Sequence, residues 1–452
     1  MKQRYDSYKS SGIDWIGEIP SHWEISPIKH ICRSEKYAIK TGPFGSQLKG
    51  EDLKEEGDIR VYNQRNVIDS DFSEVSNYVT TLKAKDLESF YTLPNDILVT
   101  SRGTIGKSAI LPDDAVMGIL HPCLIALRID ESKANPSWIQ RWINESDSFS
   151  REIEAKSNAT TIDVIYTETI KNIRVVLPPL AEQEAIAAWL DETCGEIDAA
   201  ISKVNRELEL INELQQSEIS RVVTRGLNPD APLRPSGIDW IGDVPEHWAK
   251  SRIKHHVCRS AAGVWGEDEK GNDDDIVCFR IADFNYGERC LSFDKITIRN
   301  IDEKQLDGRL LSEGDLLIEK SGGGDATPVG RVVYCNYIGR ATYTNFIHSI
   351  TLNTDVNSRF FLYYFNMLYS NKINLLFFNQ TTGLQNLQVG DYLGQSIYLP
   401  PFSEQKEITD YLDKKCAEID GLKAKLVKKC ETLKELRQTI ISEVVTGKRK
   451  VI

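Results

Sequence analysis

Four short constellations in this 452-residue chain carry residue types that do chemistry, and each is incomplete. Gly103-Thr-Ile-Gly106-Lys107-Ser108 ends as a phosphate-cradling loop does, yet that pattern needs a glycine five residues before Gly106, where Ser101 stands. Asp113, Glu131 and Lys133 fit the loose carboxylate-and-lysine spacing with which nucleases hold Mg²⁺ and polarise a phosphate, but so short a pattern arises by chance and the second half of the chain lacks it. His255, His256 and Cys258 are three metal-ligand types without an evident fourth, which favours packing or capping. Leu399-Pro-Pro-Phe402 is similar to the Asn-Pro-Pro-Phe motif of amino-methyltransferases, but leucine replaces the polar residue that would hold the target amine, so a helix start is the better reading. No catalytic residue and no metal site is expected.

The elements that position these residues follow from composition and repetition. The length argues for two to four folding units, and 40% hydrophobic with 27% charged residues suits packed globular domains. No apolar run approaches the ~18 to 20 residues that span a bilayer. Residues 1–30 mix Lys2, Arg4, Asp6, Lys9 and Asp14 with isolated apolar residues, which is no secretion signal, so a cytoplasmic location without membrane contact is expected. Nine cysteines, never spaced Cys-x-x-Cys, suit reduced thiols. A net charge of −12 argues against a protein that merely coats nucleic acid.

Internal repetition decides the architecture. Ser11-Gly-Ile-Asp-Trp15-Ile-Gly-Glu-Ile-Pro20-Ser-His-Trp23 recurs as Ser236-Gly-Ile-Asp-Trp240-Ile-Gly-Asp-Val-Pro245-Glu-His-Trp248, and Leu177-Pro-Pro-Leu-Ala-Glu182-Gln183 recurs as Leu399-Pro-Pro-Phe-Ser-Glu404-Gln405. Between these blocks only echoes survive, such as Asp96-Ile-Leu-Val99 with Asp315-Leu-Leu-Ile318 and Gly106-Lys107 with Gly330-Arg331, so two similar folds with different surfaces are implied. Short β-rich runs (96–101, 107–111, 124–129, 315–319, 331–334, 349–352) alternate with helical stretches at 136–146 and 358–370, an α+β pattern. Trp15, Trp23, Trp240 and Trp248 lie outside the variable cores, where a hydrophobic anchor is a better reading than a base-stacking platform.

After each Pro-Pro the period changes. Ile186, Leu190, Cys194, Ile197, Ile201, Val204, Leu208 and Ile211 follow mostly 4,3 steps, as do Ile408, Leu412, Cys416, Ile419, Leu422, Leu426, Cys430, Leu433, Ile440 and Val444, the seam of a coiled coil. Proline in the first turn with Glu182 or Glu404 beside it is helix-start chemistry. Residues 180–226 hold four basic against ten acidic side chains, and 402–452 twelve against nine, so the two helices favour each other over their own copies. Ile197, Ile201, Val204, Leu208 and Ile211 should meet Ile419, Leu422, Leu426 and Leu433. An antiparallel pair of about 40 residues each, ~60 Å long, would hold a globular head at either end about a pseudo-twofold axis.

Two variable domains, each followed by a helix that opens Leu-Pro-Pro with Glu-Gln, together with the Asp-Trp-Ile-Gly and His-Trp block, Gly42-Pro-Phe-Gly-Ser46 and Ser101-Arg-Gly-Thr-Ile-Gly-Lys107, resemble the specificity subunit of type I restriction-modification systems across essentially the whole chain. The resemblance implies two target recognition domains that each read half of a split double-stranded DNA sequence, with paired helices as a ruler. It implies a non-catalytic chain that holds no cofactor, with two methyltransferase subunits carrying S-adenosylmethionine and two restriction and translocase subunits using ATP and Mg²⁺. The expected layout is a repeat segment (1–23), recognition domain 1 (24–178), a central helix (179–226), a linker with the second repeat segment (227–248), recognition domain 2 (249–400) and a C-terminal helix (401–452). A metal-dependent nuclease on Asp113, Glu131 and Lys133, or a coiled-coil scaffold for protein partners, are the alternatives.

Arginine suits guanine and Asn or Gln suits adenine in the major groove, so polar residues in turns are the candidate readers: Gln47, Lys49, Gln64, Arg65, Asn66, Arg102 and Lys107 in the first domain, and Arg280, Asn285, Lys320, Arg331, Asn345, Gln380 and Asn386 in the second. The second domain replaces the Ser-Arg-Gly-Thr-Ile-Gly turn with Ser321-Gly-Gly-Gly-Asp-Ala-Thr-Pro-Val-Gly330, so different bases are expected for the two halves.

Overall fold

The computed structural model describes residues 3–156, 164–324, 326–381 and 384–451. The chain forms two compact units, Met1–Lys203 with Lys429–Ile452, and Val204–Lys428. Each unit takes the beginning of one long helix and the end of the other.

In the first unit an antiparallel sheet has the order Ile39–Thr41, Leu124–Leu127, Ile97–Thr100, Ser108–Ile110. Its central strands, Leu124–Leu127 and Ile97–Thr100, are buried on both faces because both are covered. Ile97, Val99, Ile125 and Leu127 join the core around Trp138 and Trp142 of helix Pro136–Glu145, while Leu98, Ala109, Leu124 and Ala126 pack with Tyr62, Val67 and Phe72. A second sheet pairs Ile59–Tyr62 in parallel with Gly118–Leu120 and antiparallel with Tyr78–Val79.

The second unit repeats the plan. Val257–Ala262, Ile347–Leu352, Leu316–Glu319 and Val332–Tyr334 lie in the same order, extended by Cys290–Leu291 and Phe284–Asn285. Leu316, Ile318 and Ile350 face the core around helix Ser358–Ser370, and Leu317, Val333 and Ile347 face Phe279 and Tyr343. Asp275–Phe279 and Ala341–Tyr343 form the matching parallel pair. The shared aspartates close the turn before the third strand of each sheet and are buried. Asp96 accepts from the Leu93 N–H and from Arg128 Nε and Nη2 at 2.8 and 3.0 Å. Asp315 accepts from the Ser312 N–H and from Arg259 Nη2 at 2.6 Å. The aspartate is shared but the arginine is not: Arg128 follows strand Leu124–Leu127, whereas Arg259 comes from strand Val257–Ala262 and Thr351 takes the place of Arg128, donating to Asp315 at 2.6 Å. Either way a buried carboxylate keeps a cation.

The long helices run Leu180–Arg225 (46 residues) and Phe402–Val445 (44 residues), roughly 69 and 66 Å at 1.5 Å per residue. Within the first unit, Arg449 lies over the Trp189 ring at 5.5 Å and Arg437 meets Asp198 at 3.1 Å. Within the second, Gln215 donates to Asp420 at 3.0 Å and Tyr411 donates to Glu218 at 2.7 Å. Numbers rise on one helix as they fall on the other, so the helices pair antiparallel in both units. Ile197, Val204 and Ile419 are buried in the seam, and Ile201, Leu208, Ile211, Leu426 and Leu433 are half-buried.

Leu422 corrects the expected seam: it is 51% exposed. The 4,3 rhythm steps from Ile419 to Lys423 and then to Leu426, because a heptad advances four residues there rather than three. Lys423 keeps its ammonium on Gln215 Oε1 at 2.6 Å while its stem occupies the seam position.

Candidate nucleic-acid interface

In the first unit the strands Ile39–Thr41, Ile59–Tyr62, Ile97–Thr100 and Gly118–Leu120 all finish at one end of the fold, and the loops that leave them are tied together there. The His121 N–H donates to Tyr62 O (3.0 Å), the Ser101 N–H to Cys123 O (2.8 Å) and the Gly42 N–H to Leu124 O (2.9 Å). A Cβ on Gly42 would stand 2.1 Å from His121 O, so only glycine lets the 42–47 loop lie against 121–123. The Gln64 amide spans the 102–104 turn, donating to Arg102 O at 3.1 Å and accepting from the Thr104 N–H at 2.9 Å. Arg65, Arg102 and Lys107 extend from this rim into solvent. Gln47 shapes the neighbouring loop by accepting from the Phe44 N–H at 3.0 Å, and Lys49 pairs with Glu51 at 3.4 Å.

Asn66 is no reader. It is buried, its Nδ2 donates to Asp71 O and Glu74 O, and its Oδ1 accepts from the Asn63 N–H, so no group remains for a base.

The corresponding end of the second unit gathers 263–266, 280–283, 320–324, 326–331 and 344–346. Lys320, Asn345 and Asn386 stand there, Asn386 accepting from Ser321 Oγ at 2.6 Å across the strand pair Ser321–Gly322 and Leu384–Leu387. Gln380 lies on the neighbouring strand Phe378–Thr381, and its side chain falls outside the described residues. Arg331 is bound to buried Glu319 by Nε at 2.7 Å and Nη2 at 3.2 Å, and covers the Tyr286 ring at 3.7 Å. That arrangement is structural support for the turn. Asn285 sits elsewhere: the register Asn285, Cys290, Tyr334, Leu316 aligns it with the start of strand Leu316–Glu319, and its Oδ1 caps the Glu288 N–H.

The repeated blocks have a common structural use at the helix starts. Gln183 and Gln405 are buried, each donating to a proline carbonyl (Pro178 at 2.8 Å, Pro400 at 3.0 Å) and accepting from a backbone N–H (Asn135 and Asn357, both 2.9 Å). Glu182 accepts from Tyr5 at 2.7 Å and bonds His22 at 2.9 Å; Glu404 accepts from Trp248 Nε1 at 3.1 Å and bonds His247 at 2.8 Å. Trp23, edge-to-face with Trp138 at 6.0 Å, and Trp248 are buried anchors with no face for a base.

The constellations suggestive of catalysis are committed to structural contacts. Gly103–Ser108 joins two antiparallel strands, so no helix N-terminus follows it to receive a phosphate. Asp113 accepts from Asn95, Glu131 lies 3.7 Å from Arg33 and Lys133 is 2.9 Å from Asp130. His256 Nε2 and Ser251 Oγ are 2.8 Å apart, and Cys258 Sγ donates to Thr351 O. Among the described residues no group of three or more His, Cys, Asp or Glu could hold a metal ion, and no helix is long and apolar enough to cross a membrane.

Sequence reasoning missed the exposed aromatic residues at these rims. Phe44 and Tyr166 stand out in the first unit, Trp265 and Phe346 in the second. Periodicity marks apolar residues as core, and the glycines beside Phe44 and Trp265 were the only hint of a surface loop.

A model of the type I restriction modification DNA specificity domain matches residues 20–210 and 245–429. The chain is 24% identical over 449 residues to a chain described as the type I restriction enzyme MjaX specificity subunit of Methanocaldococcus jannaschii, covering 96% of each. It is 22% identical over 444 residues to the type I restriction enzyme StySPI specificity subunit of Salmonella potsdam, covering 95% of this chain and 90% of that one. A solved chain from a study of complex assembly and conformational transition of a type I restriction-modification system shares the fold, with a TM-score of 0.68, 18% identity and coverage of 94% of this chain and 98% of its own.

Proposed function

Because the chain belongs to the family of type I restriction-modification DNA specificity subunits, we propose that the rim of each unit reads one half of a split DNA target while the paired helices set the spacer. The chain's role is DNA recognition, not catalysis. The carrying observation is that two folds of one topology gather loops of unlike sequence at the corresponding end of the sheet, which is the division expected of a common scaffold bearing two specificities. On this reading residues 24–178 and 249–400 are the recognition domains, and 1–23, 179–226, 227–248 and 401–452 form the shared frame.

In the first domain Gln64, Arg65, Arg102 and Lys107 are the readers, with Gln47 and Lys49 at the margin; in the second they are Arg280, Lys320, Asn345, Gln380 and Asn386. The two helix-start surfaces, built alike from His22 with Glu182 and His247 with Glu404, suit two copies of one methyltransferase subunit. That subunit would bring S-adenosylmethionine, and two restriction subunits would bring ATP and Mg²⁺, all in the cytoplasm. Partner subunits supply phosphate contacts that an acidic chain does not.

The test is base-resolution mapping of DNA methylated by the chain with its methyltransferase subunits. Arg102→Ala is expected to relax one position of one half-site by about tenfold and to leave the other half unchanged. Methylation by the unaltered complex without sequence preference would refute the reading.

A further inference from the structure

The rim of the second unit contains a cavity of about 420 Å³ between Trp265, Arg280, Ile281, Ala282, Phe346 and Asn345. Its walls are fixed before any ligand arrives. A Cβ on Gly263 would lie 2.2 Å from Tyr343 O, and one on Gly266 2.4 Å from Ile301 Cγ1, so the 263–266 loop is pressed onto its neighbours. Arg299 locks that loop by donating to Trp265 O and Gly266 O, both at 3.1 Å, and stacks 4.2 Å from the Trp265 ring. Trp265 and Phe346 nevertheless stay 40% and 42% exposed. A rigid apolar wall left open beside fixed donors is what a binding pocket requires.

Arg280 is held with equal care. Buried Asp283 accepts from the Arg280 backbone N–H at 2.7 Å, from Nε at 3.4 Å and from Nη2 at 3.0 Å. Among the described residues nothing bonds Nη1, so the end of the guanidinium keeps two parallel N–H groups directed away from the carboxylate. Those are the donors that match guanine O6 and N7. An apolar, aromatic wall next to them matches the 5-methyl of thymine, the one apolar group on a base edge in the major groove.

Resting on the DNA-recognition reading above, we infer that this pocket reads a guanine through Arg280 and the methyl group of an adjacent thymine through Trp265 and Phe346. Asp283 acts as a positioning residue that orients the guanidinium. In the first unit Asn63 stands at the corresponding position and spends its Oδ1 on the Arg65 N–H and its Nδ2 on Ser76.

The experiment uses the full chain assembled with its methyltransferase subunits and a pool of randomised duplexes. The unaltered complex should select a split sequence in which one half contains guanine next to thymine. Arg280→Lys, which keeps the charge but not the fork, should lose the guanine preference at that position by about tenfold or more with the other half-site intact. Deoxyuridine in place of that thymidine removes only the methyl, and should weaken the unaltered complex about fourfold, the worth of one buried methyl, while leaving Trp265→Ala indifferent. Equal weakening of every duplex by Arg280→Lys would mark a phosphate contact and overturn the inference. So would a selected target with no adjacent guanine and thymine in either half. Selection of no split sequence at all would instead overturn the recognition reading beneath it.

Discussion

At the scale of single residues, His348 carries the clearest consequence of burial. It lies on strand Ile347–Leu352, its Nε2 2.7 Å from Ser260 Oγ, and desolvation followed by the nearby Lys320 ammonium pushes its pKa down to about 4. In the unfolded chain the same imidazole titrates near ~6.5. Between those values the unfolded chain binds a proton that the folded chain refuses, so stability rises with pH across the window, is complete above ~6.5 and is lost as pH falls towards 4. The loss is up to ~3 kcal/mol. His348→Gln should flatten it, read as a smaller difference in urea midpoint between about pH 4.5 and 7. An unchanged difference would move the acid sensitivity to His121 or His256, both also pushed down by burial. Such roles are hard to see in sequence. Asn66 looked like a reader until its amide proved committed to its own turn, and Gln183 and Gln405 were visible as repeats but not as the locks between proline carbonyls and the next helix start.

At the scale of elements, the periodic parts were legible and the polar exceptions were not. The strands 97–100 and 316–319 and both long helices lie where apolar period and Pro-Pro signals put them, because these are dictated by burial of whole faces. The seam's polar layers were missed because a lysine or glutamine at a heptad position is indistinguishable from a surface residue until its partner is known. Those layers carry a prediction. Asp198 meets Arg437 and, 222 residues later in the repeat, Asp420 meets Gln215. If residues 1–226 are expressed alone and two copies pair antiparallel, the same register brings Asp198 of each copy to Gln215 of the other, an acceptor facing a donor. Ile197, Ile201, Val204 and Leu208 regain cover in the same step. Light scattering should therefore find a dimer, and with methyltransferase subunits its target should be a palindrome of the first half-site. A monomer, or an asymmetric target, would refute the self-pairing.

At the scale of the whole molecule, the helices can be a ruler only if their length translates into DNA distance. Four residues inserted after Glu209 and four after Leu426, which the register of Gln215 with Asp420 puts opposite each other, lengthen both helices together by ~6 Å. That is close to two base-pair steps at ~3.4 Å each. The insert turns a helix of 3.6 residues per turn by about 40° beyond a full turn, while two base pairs turn DNA by roughly 70°, so the residual misalignment is small. Seven residues keep the heptad intact but add ~10 Å, about three base pairs and ~100° of DNA twist, with almost no compensating helix rotation. The four-residue variant is therefore expected to methylate a target whose spacer is one or two base pairs longer, with both half-site sequences unchanged, and the seven-residue variant to lose most activity on any spacer. Mapping of the methylated sites decides it: retention of the original spacer by the four-residue variant, or a change in the bases read, would mean that something other than the helix pair measures the distance.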